Sequence, residues 1–188
     1  MVFLKQPKTE LLQLIRERSY REGKFTLASG AESSFYIDLK PTALHPRGLA
    51  LIGAWTLERM QEEQVNFDAV GGLTLGADPL VCGVSLAALQ QGREIPALIV
   101  RKEPKKHGTE LYVEGMSNVK RGDRVLVMED VLSTGGSALK AVERLRAAEL
   151  NPVAVCTVVD REMGGSDAIR KAGLKAYSLL TISDIQKK

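Results

Sequence analysis

The stretch Val125-Leu126-Val127-Met128-Glu129-Asp130-Val131-Leu132-Ser133-Thr134-Gly135-Gly136-Ser137 passes from apolar residues into two acids, then into hydroxyls and glycines. An amphipathic run follows it. Strand, tight turn and helix start together aim several backbone N–H groups at one point, and small residues let a phosphate come close to them. Thr134 and Ser137 add hydroxyl donors. A nucleoside-triphosphate P-loop would need lysine before the Ser or Thr at the helix start, and a dinucleotide fingerprint would need three glycines at G-x-G-x-x-G spacing. Neither pattern is present. Glu129 and Asp130 would repel a phosphate unless they bound something else, such as vicinal ribose hydroxyls or a divalent cation. The stretch then reads as a sugar-phosphate site, beside the plainer reading of two polar residues closing a buried strand.

Outward from this stretch, apolar strands alternate with Gly-containing loops and helices. Strands are predicted at Asp68–Leu73, Ala97–Arg101, Arg124–Glu129, Pro152–Asp160 and Ala176–Thr181, and helices near Asp78–Gln91, Ser137–Glu149 and Ser166–Ala172. The alternation predicts an α/β fold with a doubly wound parallel sheet, binding ligands beyond the C-terminal ends of the strands. Upstream, Leu11, Leu14, Ile15 and Arg18 recur at helical spacing, in a helix predicted to end near Gly23. Phe25–Leu27 and Ser34–Leu39 read as a hairpin around Ser29-Gly30. Pro46 after His45 opens a further helix, Asp78-Pro79 reads as an N-cap followed by proline, and His45 reads as a loop residue. Residues Glu103 to Gly115 break the alternation with charge, proline and glycine, and a loop this long is more often functional than ordinary.

Composition sets the limits. The chain has 188 residues, 44% hydrophobic and 26% charged, with a formal net charge of +3. This fits a single globular domain and small anionic ligands, and falls short of the concentrated basic face of a nucleic-acid binder. Cys82 and Cys156 lie in apolar stretches without metal-ligand spacing and read as buried reduced thiols. No apolar run reaches membrane-spanning length and no signal peptide is visible, so the expectation is a cytoplasmic protein with no membrane contact.

Strand, acid pair and Thr/Ser–Gly turn resemble the phosphoribosyl-pyrophosphate signature of the type I phosphoribosyltransferases. Other segments resemble the orotate-specific branch in the right order from about Phe25 to Arg161. Phe25–Gly30 with Ser34–Leu39 is similar to its N-terminal hood, Gly71–Ala77 to its pyrophosphate loop, Arg101–Gly108 to its catalytic loop and Val159–Glu162 to its base-pocket strand end. Many members carry a lysine in the hood where this chain has Ala28.

The resemblance implies a small N-terminal hood over about residues 1–44 and an α/β core over about 45–188. It implies transfer of ribose 5-phosphate from phosphoribosyl pyrophosphate to orotate, with magnesium. Glu129 and Asp130 would hold ribose hydroxyls, and Ser133, Thr134, Gly135, Gly136 and Ser137 would wrap the 5′-phosphate, with Val131 and Leu132 inside the same signature. Arg101, Lys102, Lys105 and His107 would bind the diphosphate, with Lys105 and His107 catalytic. Arg161 and Ser133 would bind orotate, for which a planar guanidinium fork suits a carboxylate. A homodimer with shared active sites is implied too. Two alternatives remain: a phosphoribosyltransferase for another base, which Ala28 and the weak link between fold and substrate keep open, and a non-catalytic sensor of phosphoribosyl pyrophosphate. The sensor would be expected to lose Lys105 and His107, and this chain has both.

Overall fold

The computed structural model describes residues 7–26, 30, 32–104 and 112–187. Helix α1 (Pro7–Arg18) leads into an antiparallel hairpin of β1 (Tyr20–Thr26) and β2 (Glu32–Ile37). The short α2 (Lys40–Ala43) and the long α3 (Pro46–Glu62) follow, and then the alternating part: β3 (Ala69–Leu73), α4 (Asp78–Gln90), β4 (Ala97–Val100), β5 (Val113–Glu114), β6 (Arg124–Leu132), α5 (Gly136–Ala147), β7 (Asn151–Asp160), α6 (Gly165–Lys171), β8 (Lys175–Thr181) and α7 (Ile182–Gln186). The main sheet has the order β5-β4-β3-β6-β7-β8, parallel except for β5.

Parallel strands covered on both faces must be apolar nearly throughout. All five residues of β3 are buried, as are eight of the last nine of β7. One core, which includes Leu11, Leu51, Leu80, Met128 and Ile185, packs α1, α3, α4 and α7 on one face. A second, which includes Val127, Ala138, Leu145 and Ile169, packs α5 and α6 on the other. The strand order reverses between β3 and β6, and such a switch point opens a crevice at the strand C-terminal ends. At the opposite end, Arg124 grips Asp68 through Nε at 2.8 Å, Nη2 at 2.7 Å and its backbone N at 2.9 Å. These donors hold the Asp68 carboxyl down at about 2, so the starts of β3 and β6 are tied together at the end opposite the crevice.

Several expectations change. The first helix stops at Arg18, because β1 begins at Tyr20 and carries the chain through Gly23. Asp78 is the first residue of α4 and Ala77 its N-cap, so the Asp78 side chain is free to accept from Thr74 Oγ1 at 2.8 Å. The segment expected as one loop from Glu103 to Gly115 contains β5, held against β4 by Ile99–Glu114 and Val100–Val113 pairing. Cys156 is buried, its thiol pushed up to about 12 by burial. Cys82 is exposed, since the buried face of α4 runs through Leu80, Val81, Val84 and Ala88. His45 does precede a helix that begins at Pro46.

At the far side of the α1 layer, Arg16 donates to the carbonyls of Ile185 at 2.8 Å, Asp184 at 3.0 Å and Lys187. Among the described residues, no helix is long and apolar enough to cross a membrane.

Candidate active site

Strand β6 carries Glu129 and Asp130 to the mouth of the crevice, and the chain then turns through Ser133 to Gly135 into α5. Gly135 is the N-cap, with φ of 89°. That left-handed conformation favours glycine, and a Cβ there would also lie 3.1 Å from Gly165 O. Among the described residues, no side chain caps α5. The first N–H groups of a helix lack intrahelical partners, so those at the start of this 12-residue helix remain open to an anion. Thr134, Gly136 and Ser137 are exposed around them. Leu132 is buried in the second core and Val131 packs against the first, so these two can meet a ligand only through their backbone.

The acids differ sharply. Glu129 is 9% exposed, and its pKa is pushed up to about 8, first by burial and then by the neighbouring Asp130 charge, with Lys102 opposing. Asp130 is half-buried and accepts from Val131 N at 2.8 Å. Its carboxylate also lies against Gly76 of the β3–α4 turn, where a Cβ would come within 2.4 Å of Oδ2. The expected pyrophosphate loop and the expected ribose-binding acid are therefore in contact. On the hood side, Lys40 pairs with Asp38 at 2.6 Å. That hydrogen bond is the main cause holding the Lys40 ammonium above the ordinary lysine range, and the negative charge of Asp130 contributes as well.

The end of the crevice around Arg161 is built from three separate pieces. Arg161, just past β7, donates from its backbone N to Leu132 O at 2.9 Å and from Nη1 to Ser133 Oγ at 3.4 Å. Its guanidinium carbon sits 5.1 Å from the centre of the Phe35 ring, which comes from the hairpin. Its Nε is buried with no partner among the described residues, a donor left over for a ligand acceptor.

The structure thus gathers Glu129, Asp130, Ser133 to Ser137 and Arg161 in one crevice. Lys102 stands at its edge, close enough to oppose the Glu129 shift. Arg101 is turned toward β5, where Nη1 meets Glu114 Oε1 at 3.1 Å. Lys105, His107 and Ala28 lie outside the described residues. Lys40 escaped the sequence reading of the site, while Phe35 and Gly76 fell inside the segments matched to the hood and the pyrophosphate loop without being singled out. Phe35 and Lys40 carry no local signal, whereas Gly76, in a turn expected to meet an anion, hinted at close approach.

The Phosphoribosyl transferase domain family matches residues 43–175. The orotate phosphoribosyltransferase of Thermosynechococcus vestitus is 48% identical over 179 residues, covering 95% of this chain and 93% of that protein. That of Nostoc sp. is 46% identical over 181 residues, covering 96% and 86%. Among solved structures, the orotate phosphoribosyltransferase of Mycobacterium tuberculosis in complex with 5-phospho-α-D-ribosyl 1-diphosphate superposes with a TM-score of 0.78 at 38% identity, covering 97% of this chain and all of that one. An uncapped helix start beside an acid pair, a guanidinium across the crevice from it, and near-full-length identity at this level lead to one conclusion: the chain belongs to the orotate phosphoribosyltransferases.

Proposed function

We propose that the crevice binds phosphoribosyl pyrophosphate along β6 and the start of α5, binds orotate against Arg161, and joins the two with release of pyrophosphate. The observation that carries this reading is the continuity of β6, the acid pair and the uncapped α5, with Arg161 Nη1 only 3.4 Å from Ser133 Oγ of the same loop. The 5′-phosphate sits on the N–H groups of Gly136 and Ser137, and the ribose hydroxyls face Glu129 and Asp130. Arg161 and Ser133 hold the orotate carboxylate, with Phe35 supporting the guanidinium. The deprotonated ring nitrogen of orotate forms a bond to ribose C1 as the bond to the diphosphate oxygen breaks, and the electron pair leaves with pyrophosphate. Arg101, Lys102, Lys105 and His107 stabilise that leaving charge.

Magnesium fits this donor set. Asp78, at the end of the β3–α4 turn, keeps a buried Oδ1 without a partner among the described residues, a hard oxygen suited to water on the ion. Bound with the diphosphate, the ion supplies charge neutralisation. The chain forms a homodimer with shared sites in this reading; exposed Cys82, Leu86 and Leu89, which recur at helical spacing on α4, offer an apolar face for an interface.

The direct test is loss of orotate absorbance when the protein meets phosphoribosyl pyrophosphate and magnesium, with purine bases as controls. A folded protein that leaves orotate untouched rejects the reading. Lys105→Ala should lower turnover by about 10²–10³ with substrate affinities changed far less, as for removal of one preorganised charge-stabilising donor. Mixing Lys105→Ala with Asp130→Asn subunits should restore activity if Lys105 crosses between subunits. A mixture that exchanges subunits yet shows no more than the mean activity of its parents assigns Lys105 to its own subunit.

A further inference from the structure

We propose that Arg144, outside the crevice, is a positioning residue that fixes the strand end bearing Arg101 and Lys102 for binding of the diphosphate. Arg144 lies in the last turn of α5. Its Nη2 donates to Lys102 O at 2.6 Å and its Nη1 to Arg101 O. The same guanidinium lies over the Tyr112 ring, its carbon 4.2 Å from the ring centre. Tyr112 in turn accepts from Arg101 N at 2.8 Å through its carbonyl. One side chain therefore grips both the outgoing chain at the end of β4 and the returning chain before β5.

The chemistry selects arginine. Two adjacent carbonyls need two donors in a fixed fork, and a guanidinium supplies that fork while its face stays against an aromatic ring; an ammonium is a point charge without the fork. The placement gives the grip a consequence. Arg144 is eight residues beyond Gly136, or about 12 Å along a rigid helix whose other end presents the proposed 5′-phosphate site. A single helix thus sets the distance between the 5′-phosphate and the cations that receive the diphosphate. Lys102 follows directly on Arg101, so the grip on both carbonyls sets where both cations leave the strand. The competing account is that Arg144 merely complements the negative C-terminal end of α5.

This inference rests on the reading that Arg101 and Lys102 bind diphosphate, and the test separates the two. Calorimetry would compare inorganic pyrophosphate with magnesium, which reports the strand end, and orotidine 5′-monophosphate, which lacks the diphosphate. Wild-type binding of both ligands upholds the underlying reading, whereas binding of the nucleotide alone overturns that reading and this inference together. In Arg144→Ala, pyrophosphate affinity should fall about tenfold, the lower end of what support residues contribute to a site, with the nucleotide within about twofold. Arg144→Lys should lose nearly as much. Full rescue by lysine, or equal loss of both ligands, would overturn the positioning role. Should Arg144→Ala fail to fold, Tyr112→Leu decides: it keeps apolar bulk, removes the stacking surface and should weaken pyrophosphate about threefold, on the scale of a cation–π contact. Unchanged pyrophosphate affinity in that variant overturns the proposal.

Discussion

The two ends of the crevice are built on different principles. At the phosphate end, one contiguous run from Glu129 to Ser137 supplies acids, turn and helix start, and the main chain provides many of the donors. At the base end, Phe35 comes from the hairpin, Ser133 from the β6–α5 turn and Arg161 from the end of β7, and only tertiary packing brings them together. A site made of backbone is rigid and tolerant of side-chain change but sensitive to anything that fills its glycine spaces. One made of converging side chains is sensitive to each of them and free to change its ligand.

If that division holds, Arg161→Lys should have the largest ligand-selective effect. Losing a bidentate contact to a carboxylate forfeits about 1.5–3 kcal/mol, so the orotate Michaelis constant should rise about 10- to 100-fold while that for phosphoribosyl pyrophosphate stays put. Steady-state kinetics with each substrate varied would show it, and unchanged orotate kinetics would remove Arg161 from the orotate site. At the other end the pattern should invert. Asp130→Asn, and Gly76→Ala through a Cβ that displaces the Asp130 carboxylate, should each weaken phosphoribosyl pyrophosphate about tenfold by calorimetry, since hydrogen bonds to a charged acceptor are about twice as strong as neutral ones. Equal losses for orotate would erase the distinction between the ends.

Smaller effects sharpen it. Phe35→Leu removes the ring beneath Arg161, about 0.5–1 kcal/mol of cation–π attraction, and should raise the orotate Michaelis constant about two- to fivefold. The smallest effect is on stability. Glu129 has a folded pKa of about 8, raised from 4.5, so the folded protein holds a proton that the unfolded chain releases between those values. Its stabilising contribution is complete below pH 4.5 and is lost as pH rises through 8. Melting temperature should therefore fall by a few degrees more in the wild type than in Glu129→Gln between pH 6 and pH 9. Parallel curves would mean that the ionised carboxylate is better solvated than its burial implies.

The same division explains what could be read from sequence. Strand β6, the acid pair and the start of α5 were legible because each signal lies next to the one it depends on. The alternation of β3 to β8 was legible because buried parallel strands are apolar throughout. Strand β5 was not, because two residues carry no periodicity and Val113 and Glu114 are ordered by pairing with β4. The partnership of Phe35 with Arg161 spans most of the chain and leaves no local trace. Cys82 was misread although the signal existed: Val81, Val84 and Ala88 set the phase of α4 and turn position 82 outward, where Leu86 and Leu89 follow it.

Arg16 has a consequence for how the chain could be rewired. By holding the carbonyls of Asp184, Ile185 and Lys187, it brings the end of α7 beside α1. Pro7 lies nine residues before Arg16, about 14 Å along the helix, a span that a linker of about five extended residues can cover. Joining residue 187 to residue 7 closes the chain along α1, and the closed chain can be reopened at an exposed turn such as Gly92 or Gly122, where no described atom lies within 4 Å of an added Cβ. The fold is thus suited to circular permutation, with sheet order conserved while the order of synthesis changes.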